Sequence, residues 1–224
     1  MIELRHFIGV DLGQVSDFTA LAVLEQPVPA RRWQDPAWPA PPVYALRHIE
    51  RVPLGTPYPD VVRRVLAVLE APGLSDVTLI VDQTGVGRAV VDLLRDALAR
   101  RTRGQALYFW PATITAGQTA TTTNDGALHV PKKDLIAALQ LLLQKRRLQI
   151  ARALPFAETL VKELENFRVK ITPAGNEVFE AWREGQHDDL VLAVALAAWL
   201  AEIVLEREAE GARQAAEPIT VLRA

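Results

Sequence analysis

The segment Val77–Asp82 (VTLIVD) is almost continuously apolar and ends in an acid. A run without polar alternation is typical of a strand buried on both faces of a sheet. Apolar residues with helical spacing lie on either side of it, at 58–71 and 85–101, and they predict helices that flank such a strand. The segment therefore favours an α/β layer architecture over an all-β or an all-helical one.

Three further strands are predicted earlier in the chain, at 6–12, 18–25 and 43–50, because each is short, apolar or alternating, and rich in β-formers. Residues 13–17 have the length of a hairpin turn. Residues 26–42 carry six of the fifteen prolines, so this insert is predicted to be irregular. Whether it docks a partner or covers the sheet edge stays open.

The rest of the chain predicts more strands and helices around one mixed sheet, with three antiparallel strands first and parallel strands after them. A mobile Thr- and Gly-rich loop is predicted at 111–126. Residues 1–208 form one predicted domain and 209–224 a flexible tail. The other predicted elements are strands at 105–110 and 148–151, helices at 131–147, 155–166 and 188–208, and a hairpin over 167–182.

Composition excludes several classes of chemistry. The chain has no cysteine, which excludes a disulfide framework, a cysteine nucleophile and a thiolate metal site. Its net charge of −2 gives no global attraction to nucleic acid, so local basic patches would have to hold such a partner. The longest apolar run, 190–201, is too short to span a bilayer, and the start has no signal-peptide pattern. An intracellular domain without membrane contact is expected.

Four acids stand where apolar surroundings make a charge unfavourable. Asp11 ends a strand in IGVDLG, Asp82 ends a strand in LIVDQTGVG, and Asp188 and Asp189 begin the apolar helix in HDDLVLAVALA. Burying an isolated carboxylate in such a setting destabilises the fold by several kcal/mol unless the carboxylate is paired or bound to a metal. A structural alternative exists for each: a turn-forming acid for the first two, and a helix-capping acid for the last two.

Taken together, the acids indicate a metal site, because a mixed sheet can bring three strand and helix ends close together. A divalent cation relieves the repulsion between such carboxylates, and hard oxygen ligands select Mg²⁺ or Mn²⁺. Two such ions about 3.5–4 Å apart cleave phosphodiesters in known enzymes. His187, next to the pair, is a candidate for orienting the site or for proton transfer, or else a solvent-exposed residue at the helix start.

The three acidic segments resemble the acidic motifs of the nuclease domain of tailed-phage large terminase subunits, over residues 6–204. They are GVDLG followed by Asp17, VDQTGVG, and HDDLVLAVALA. The resemblance implies a ribonuclease H-like fold and a site in which Asp11, Asp82 and one or both of Asp188 and Asp189 bind two Mg²⁺ or Mn²⁺ ions. It implies endonucleolytic cutting of concatemeric double-stranded DNA during genome packaging.

Two positions qualify this resemblance. Many relatives carry a further Asp where this chain has Leu192, which leaves open whether Asp188 or Asp189 is the principal ligand. Asp17 is a candidate outer ligand or a turn residue.

The resemblance also implies partners, namely a packaging ATPase, a portal and a small terminase subunit in the cytoplasm of a bacterial host. A phosphate-binding G-x-x-x-x-G-K-[ST] loop of an ATPase is missing from the 224 residues. The chain is therefore expected to be an excised domain, a separately encoded nuclease or a prophage remnant, and not to translocate DNA by itself.

Lys132, Lys133 and Arg183 are the candidates for DNA contact. The two lysines begin a predicted helix after the predicted mobile loop, and Arg183 precedes His187 by four positions. The alternative for each is a solvated basic side chain on a helix or loop surface.

Two other functions remain open. Actin-like and sugar-kinase-like phosphotransferases also begin with a GVDLG-type strand, although they usually carry two copies of the domain. A non-catalytic interaction module that keeps the fold is the other alternative, and it predicts the loss of at least one acid, whereas all are present.

Overall fold

One mixed sheet of eight strands organises the part of the chain that the computed structural model describes, residues 2–13, 17–29, 41–85, 87–101, 106–171, 177–181 and 187–216. A separate two-stranded hairpin and five helices complete it. The elements, in chain order, are β1 (Ile2–Asp11), β2 (Thr19–Pro29), β3 (Tyr44–Val52), α1 (Tyr58–Leu69), β4 (Val77–Asp82), α2 (Gly87–Ala99), β5 (Leu107–Thr115), β6 (Thr121–Thr122), β7 (Leu128–Pro131), α3 (Lys132–Gln144), β8 (Leu148–Ile150), α4 (Ala157–Asn166), β9 (Phe167–Ile171), β10 (Glu177–Ala181) and α5 (Asp189–Ala216).

The sheet has the strand order β6-β7-β5-β4-β1-β2-β3-β8. Strands β1, β2 and β3 pair antiparallel to one another. Strands β4, β5 and β7 continue the sheet from β1 in parallel pairs. The predicted mixed sheet, antiparallel first and parallel afterwards, is confirmed.

Helices cover both faces of the sheet, as the apolar sequence of β4 predicts. All six residues of β4 are buried. Side chains alternate along each strand, so Phe7 packs with the apolar residues of α3, α4 and α5, whereas its neighbour Ile8 packs with those of α1 and α2. Each face therefore has its own apolar cluster.

Helix α5 runs antiparallel to β1 across the face of the sheet. Arg5 Nη2 donates to Glu208 Oε1 at 3.0 Å near one end of the contact. Further along, a Cβ added to Gly9 would lie 2.0 Å from the main-chain oxygen of Ala193, so only glycine allows this close approach. Continuing in the same direction brings the start of α5 at Asp189 to the end of β1 at Asp11.

A buried polar cluster ties α5 to the β3 edge of the sheet. The Tyr44 hydroxyl donates to Glu202 Oε1 at 2.7 Å. The Arg147 guanidinium donates to both oxygens of the same carboxylate, each at 2.7 Å. Burial and the adjacent Glu202 carboxylate raise the pKa of Tyr44, so its hydroxyl stays a donor.

Several element ends differ from the sequence-based prediction. Strand β2 continues to Pro29, into the segment predicted to be irregular from 26 onward. Strand β3 pairs with β2 only as far as Glu25. Pro27 and Pro29 lie past that point, where β3 no longer accepts hydrogen bonds from β2, so a residue without an N–H group is tolerated there. Residues 30–40 of the predicted insert, including both of its tryptophans, lie outside the described residues.

The segment 111–126, predicted to be a mobile loop, carries the end of β5 and all of β6. Its β-branched residues pair with β7, with Ile114 opposite Val130, and this pairing overrides the turn-rich composition. Helix α5 continues to Ala216, past the predicted end at 208. None of the described helices is long and apolar enough to cross a membrane.

Candidate active site

The acids predicted from sequence line one cavity of about 220 Å³. Strands β1 and β4 are parallel, with Val10 opposite Val81, so Asp11 and Asp82 follow at the same edge of the sheet. Asp188 and Asp189, at the start of α5, reach the same edge because the helix runs antiparallel to β1. The described residues that line the cavity include Asp11, Asp17, Phe18, Asp82, Thr84, His187, Asp188, Asp189 and Leu192.

Asp11 is a buried titrating group at the end of β1. Burial raises its pKa well above the ordinary value for an aspartate, and repulsion from the other three acids raises it further, whereas Lys132 acts in the opposite direction. Burial and the neighbouring carboxylates thus both disfavour the charged form of Asp11.

Asp82 has the turn-forming role that its sequence context allowed, and it also lines the cavity. Its Oδ1 accepts hydrogen bonds from the Thr84 amide, at 2.9 Å, and from the Thr84 hydroxyl, which is the turn-forming arrangement. The hydroxyl oxygen in turn accepts from the Ile114 amide at 3.0 Å. These bonds fix the orientation of the carboxylate beside the cavity. Burial raises the pKa of Asp82, and the bonds from Thr84 counteract that effect.

Asp188 forms an ion pair with Lys132, in which Lys132 Nζ lies 2.9 Å from Asp188 Oδ2. Each of the two side chains is 27% exposed. The main-chain oxygen of Asp188 accepts from the Leu192 amide at 2.9 Å, which places Asp188 at the first turn of α5. Lys132, predicted to contact DNA, therefore points its ammonium at the acids in this structure.

Asp189 is held by a residue that the sequence did not single out. Arg51, on β3, donates from Nε to Asp189 Oδ2 at 2.8 Å and from Nη2 to Asp189 Oδ1 at 3.0 Å. Arg51 also bonds Glu163 of α4, whose second oxygen accepts from the Val191 amide at 3.4 Å. Burial raises the pKa of Glu163 to about 7, with repulsion from Asp189 adding to it and Arg51 opposing it. Burial raises the pKa of Asp189 too, again against Arg51.

Aromatic contacts fix the side of the cavity next to these pairs. The rings of Phe18 and His187 meet edge to face with centroids 4.7 Å apart. The Arg51 guanidinium lies 4.8 Å from the centroid of the Phe18 ring. His187 is thus packed beside Asp188 and borders the cavity, and Arg51 is stacked as well as paired.

The structure describes one of the two remaining candidates for DNA contact. Lys133 Nζ bonds the Gln118 side chain at an exposed position and not one of the four acids. Arg183 lies outside the described residues.

The carboxylates of the cavity are ligands of the type that a hard divalent cation prefers, although they are not arranged around a single point where one ion would lie. Within the described ranges, no group of three or more Asp, Glu or His side chains is close enough to hold one ion as placed. The acids are held apart because Asp188 forms an ion pair with Lys132 and Asp189 forms one with Arg51. All donors are carboxylate oxygens that repel one another, which fits Mg²⁺ or Mn²⁺ in chemical type.

Sequence comparisons point to phage packaging proteins. No family profile matches the chain. The large terminase subunits of Thermus phage G20c and Thermus virus P23-45 are each 29% identical to it over 192 residues, which is 86% of this chain. The chain spans about a third of the length of these curated relatives (31%).

Structural comparisons agree with the sequence. The crystal structure of the large terminase nuclease from thermophilic phage G20c with bound magnesium is 26% identical, with a TM-score of 0.59 over 88% of this chain and 81% of that one. The large terminase nuclease domain of Thermus phage P74-26 has a TM-score of 0.56 at 26% identity, over 87% of this chain and 78% of that one. The human cytomegalovirus terminase nuclease domain, at 12% identity and a TM-score of 0.53 over 92% of this chain and 87% of that one, supports the fold alone. Sequence and fold together confirm that this chain, with its ribonuclease H-like sheet, resembles the nuclease domain of tailed-phage large terminase subunits.

Proposed function

We propose that this chain is a metal-dependent endonuclease that cuts concatemeric double-stranded DNA during phage genome packaging. The observation that carries the proposal is the convergence of Asp11, Asp82 and Asp188 on one cavity at the end of the sheet. The similarity to terminase nuclease domains supports the same conclusion. No structural role of a turn or a cap requires acids from three separate elements to share one cavity.

The proposed cofactor is a pair of Mg²⁺ or Mn²⁺ ions. Related nuclease domains have been crystallised with bound magnesium and with bound cobalt, which supports divalent metals here. Asp11, Asp82 and Asp188 would hold the ions. When bound, such ions activate water and stabilise the leaving oxygen of a phosphodiester.

We assign Asp188 rather than Asp189 as the principal ligand of the pair. Both oxygens of Asp189 are taken by Arg51, whose side chain is 14% exposed against 5% for Asp189. Asp188 pairs with Lys132, and each of these two side chains is 27% exposed. Asp189 then adds negative charge beside the metal site and remains the second candidate for the principal ligand. Asp17 remains a candidate outer ligand.

Binding of DNA would depend on local positive charge, because the chain is slightly acidic overall. Lys133, half-buried at the start of α3, and Arg183 are the proposed phosphate contacts, together with Lys132. His187 would border the bound phosphate, since its ring is held beside Asp188 by Phe18.

The setting that this proposal implies is the cytoplasm of a bacterial host. The chain would act with a packaging ATPase, a portal and a small terminase subunit, as a nuclease domain of residues 1–208 followed by a tail. The first part of that tail continues α5 to Ala216.

A plasmid assay tests the proposal. Supercoiled plasmid is incubated with the protein and Mn²⁺ or Mg²⁺, beside an EDTA control and two variants. Asp82→Asn should abolish nicking and linearisation, whereas Asp96→Asn, at an exposed acid of α2, should cut like the wild type. Equal cutting by the Asp82 variant would show that the site assignment is wrong.

The same preparations separate the alternatives. ATP hydrolysis that is lost in Asp11→Asn would favour a phosphotransferase. DNA binding without cutting in any metal would favour a non-catalytic interaction module.

A further inference from the structure

We propose that the Lys132 ammonium is a built-in counter-cation, which occupies the acidic cavity in the metal-free protein and gives way when a divalent ion binds. This inference rests on the proposed metal-dependent function and concerns how the site is kept before the metal arrives. It assigns Lys132 a role in the site in addition to the DNA contact predicted from sequence.

The fold places Lys132 at the cavity. Lys132 begins α3 directly after β7, whose last residue, Pro131, pairs with Thr115 of β5. Strand β5 pairs in parallel with β4, with Ala112 opposite Asp82. The start of α3 therefore lies at the same edge of the sheet as the ends of β1 and β4, and a lysine there reaches the acids.

Among the described residues, two basic side chains, Arg51 and Lys132, form ion pairs with these acids. Arg51 holds Asp189 with a bidentate contact and shares its charge between Asp189 and Glu163. The other three acids line one cavity, and Lys132 bonds one of them, Asp188, directly. One monovalent ammonium cannot compensate three carboxylates that repel one another. The metal-free site therefore remains short of positive charge.

Exposure determines which of the two cations can leave. The Lys132–Asp188 pair is 27% exposed on both sides, so the ammonium can regain water when it moves out. The Arg51–Asp189 pair is 14% and 5% exposed, and breaking it would leave charges buried without compensation. A divalent ion would thus replace Lys132 and leave Arg51 in place.

Displacement has a consequence for the order of events. Once a metal ion occupies the cavity, the released ammonium stands beside it on a flexible four-carbon side chain, near where a DNA phosphate would bind. The contact predicted for Lys132 with DNA would then form only after the metal is loaded.

Thermal melting and metal titration of three variants, without DNA, test the inference. Lys132→Gln removes the charge, Lys132→Arg keeps a cation at the same position, and Lys133→Gln removes the adjacent charge that contacts Gln118 instead. In EDTA, Lys132→Gln should lower Tm by about 3–6 °C, because the acids lose their counter-cation. With Mn²⁺ it should bind roughly three- to tenfold more tightly than the wild type by calorimetry, because no ammonium competes.

The controls decide between outcomes. Lys133→Gln should match the wild type in both measurements, and Lys132→Arg should bind Mn²⁺ no more tightly than the wild type. If Lys132→Gln stays folded only when Mn²⁺ is present, the inference is supported. Mn²⁺ binding that is unchanged or weaker in Lys132→Gln, in a wild type that does bind, would overturn the counter-cation role alone. A wild type that binds neither Mn²⁺ nor Mg²⁺ would overturn the proposed function and this inference with it.

Discussion

Replacing Gly9 by alanine tests how the fold builds the site. The added Cβ would lie 2.0 Å from the Ala193 oxygen and 2.9 Å from the Ala197 nitrogen. An ordinary carbon–oxygen contact is about 3.3 Å, so α5 would have to move away from β1 by about 1.3 Å at this point. Both contacts are main-chain atoms, so trimming a side chain on α5 cannot relieve the clash.

We expect Gly9→Ala to lower the free energy of unfolding by about 3 kcal/mol, the upper part of the range for overpacked cores. For a chain of this size that corresponds to a decrease in Tm of about 6–12 °C. The same shift of α5 moves Asp188 and Asp189 away from Asp11, so the rise in Tm on adding Mn²⁺ should shrink or disappear.

Gly211→Ala is the matched control, because it adds the same methyl group to the same helix. An added Cβ at Gly211 has nothing within 4 Å, and alanine is the better helix former by about 1 kcal/mol. This variant should melt slightly above the wild type by circular dichroism and keep its full response to Mn²⁺. A Gly9→Ala protein that melts within about 2 °C of the wild type would refute the close-approach argument.

Three further substitutions have defined expectations. Asp11→Asn should raise the free energy of unfolding in EDTA, because burial and the neighbouring acids disfavour the charge of this carboxylate and raise its pKa, and it should abolish plasmid cutting; a loss of stability in denaturant titration would contradict this. Arg51→Met should lower stability by about 3–5 kcal/mol, because two buried acids lose their partner, and neutralising both acids as amides should recover most of the loss. Tyr44→Phe should lower stability by only about 1 kcal/mol in the same titration, since Glu202 keeps both bonds from Arg147; a loss above about 3 kcal/mol would mean that the hydroxyl supports more than this carboxylate.

Local pattern was enough to find the acids, because each one interrupts an apolar run. An acid at the end of VTLIVD or before LVLAVALA is unusual in its immediate neighbourhood, and no tertiary information is needed to notice it. The same holds for the mixed sheet, which follows from the order of alternating and continuous apolar segments. The parallel register of β1 and β4 then sets Asp11 and Asp82 side by side.

Arg51 and Glu163 could not be found in this way. Arg51 is the penultimate residue of a strand of alternating character, and Glu163 lies on an amphipathic helix. Charged residues at such positions normally face solvent. Their role depends on 112 residues of sequence separation being closed by the fold. Sequence located Lys132 because the start of its helix was visible. The contact of Lys132 with Asp188 could not be predicted, because it depends on the pairing of β5 with β7.

The three acids that converge on the cavity come from residues 11, 82 and 188, so the site is complete only after residue 188 has been synthesised. A nascent polypeptide that has emerged only as far as β10 has the sheet but neither Asp188 nor the helix that covers one of its faces. Such an intermediate exposes apolar surface and is prone to aggregate. It also lacks the third carboxylate, so under the proposed function the ability to cut DNA would appear only with α5, and products that stop before residue 188 would not cut.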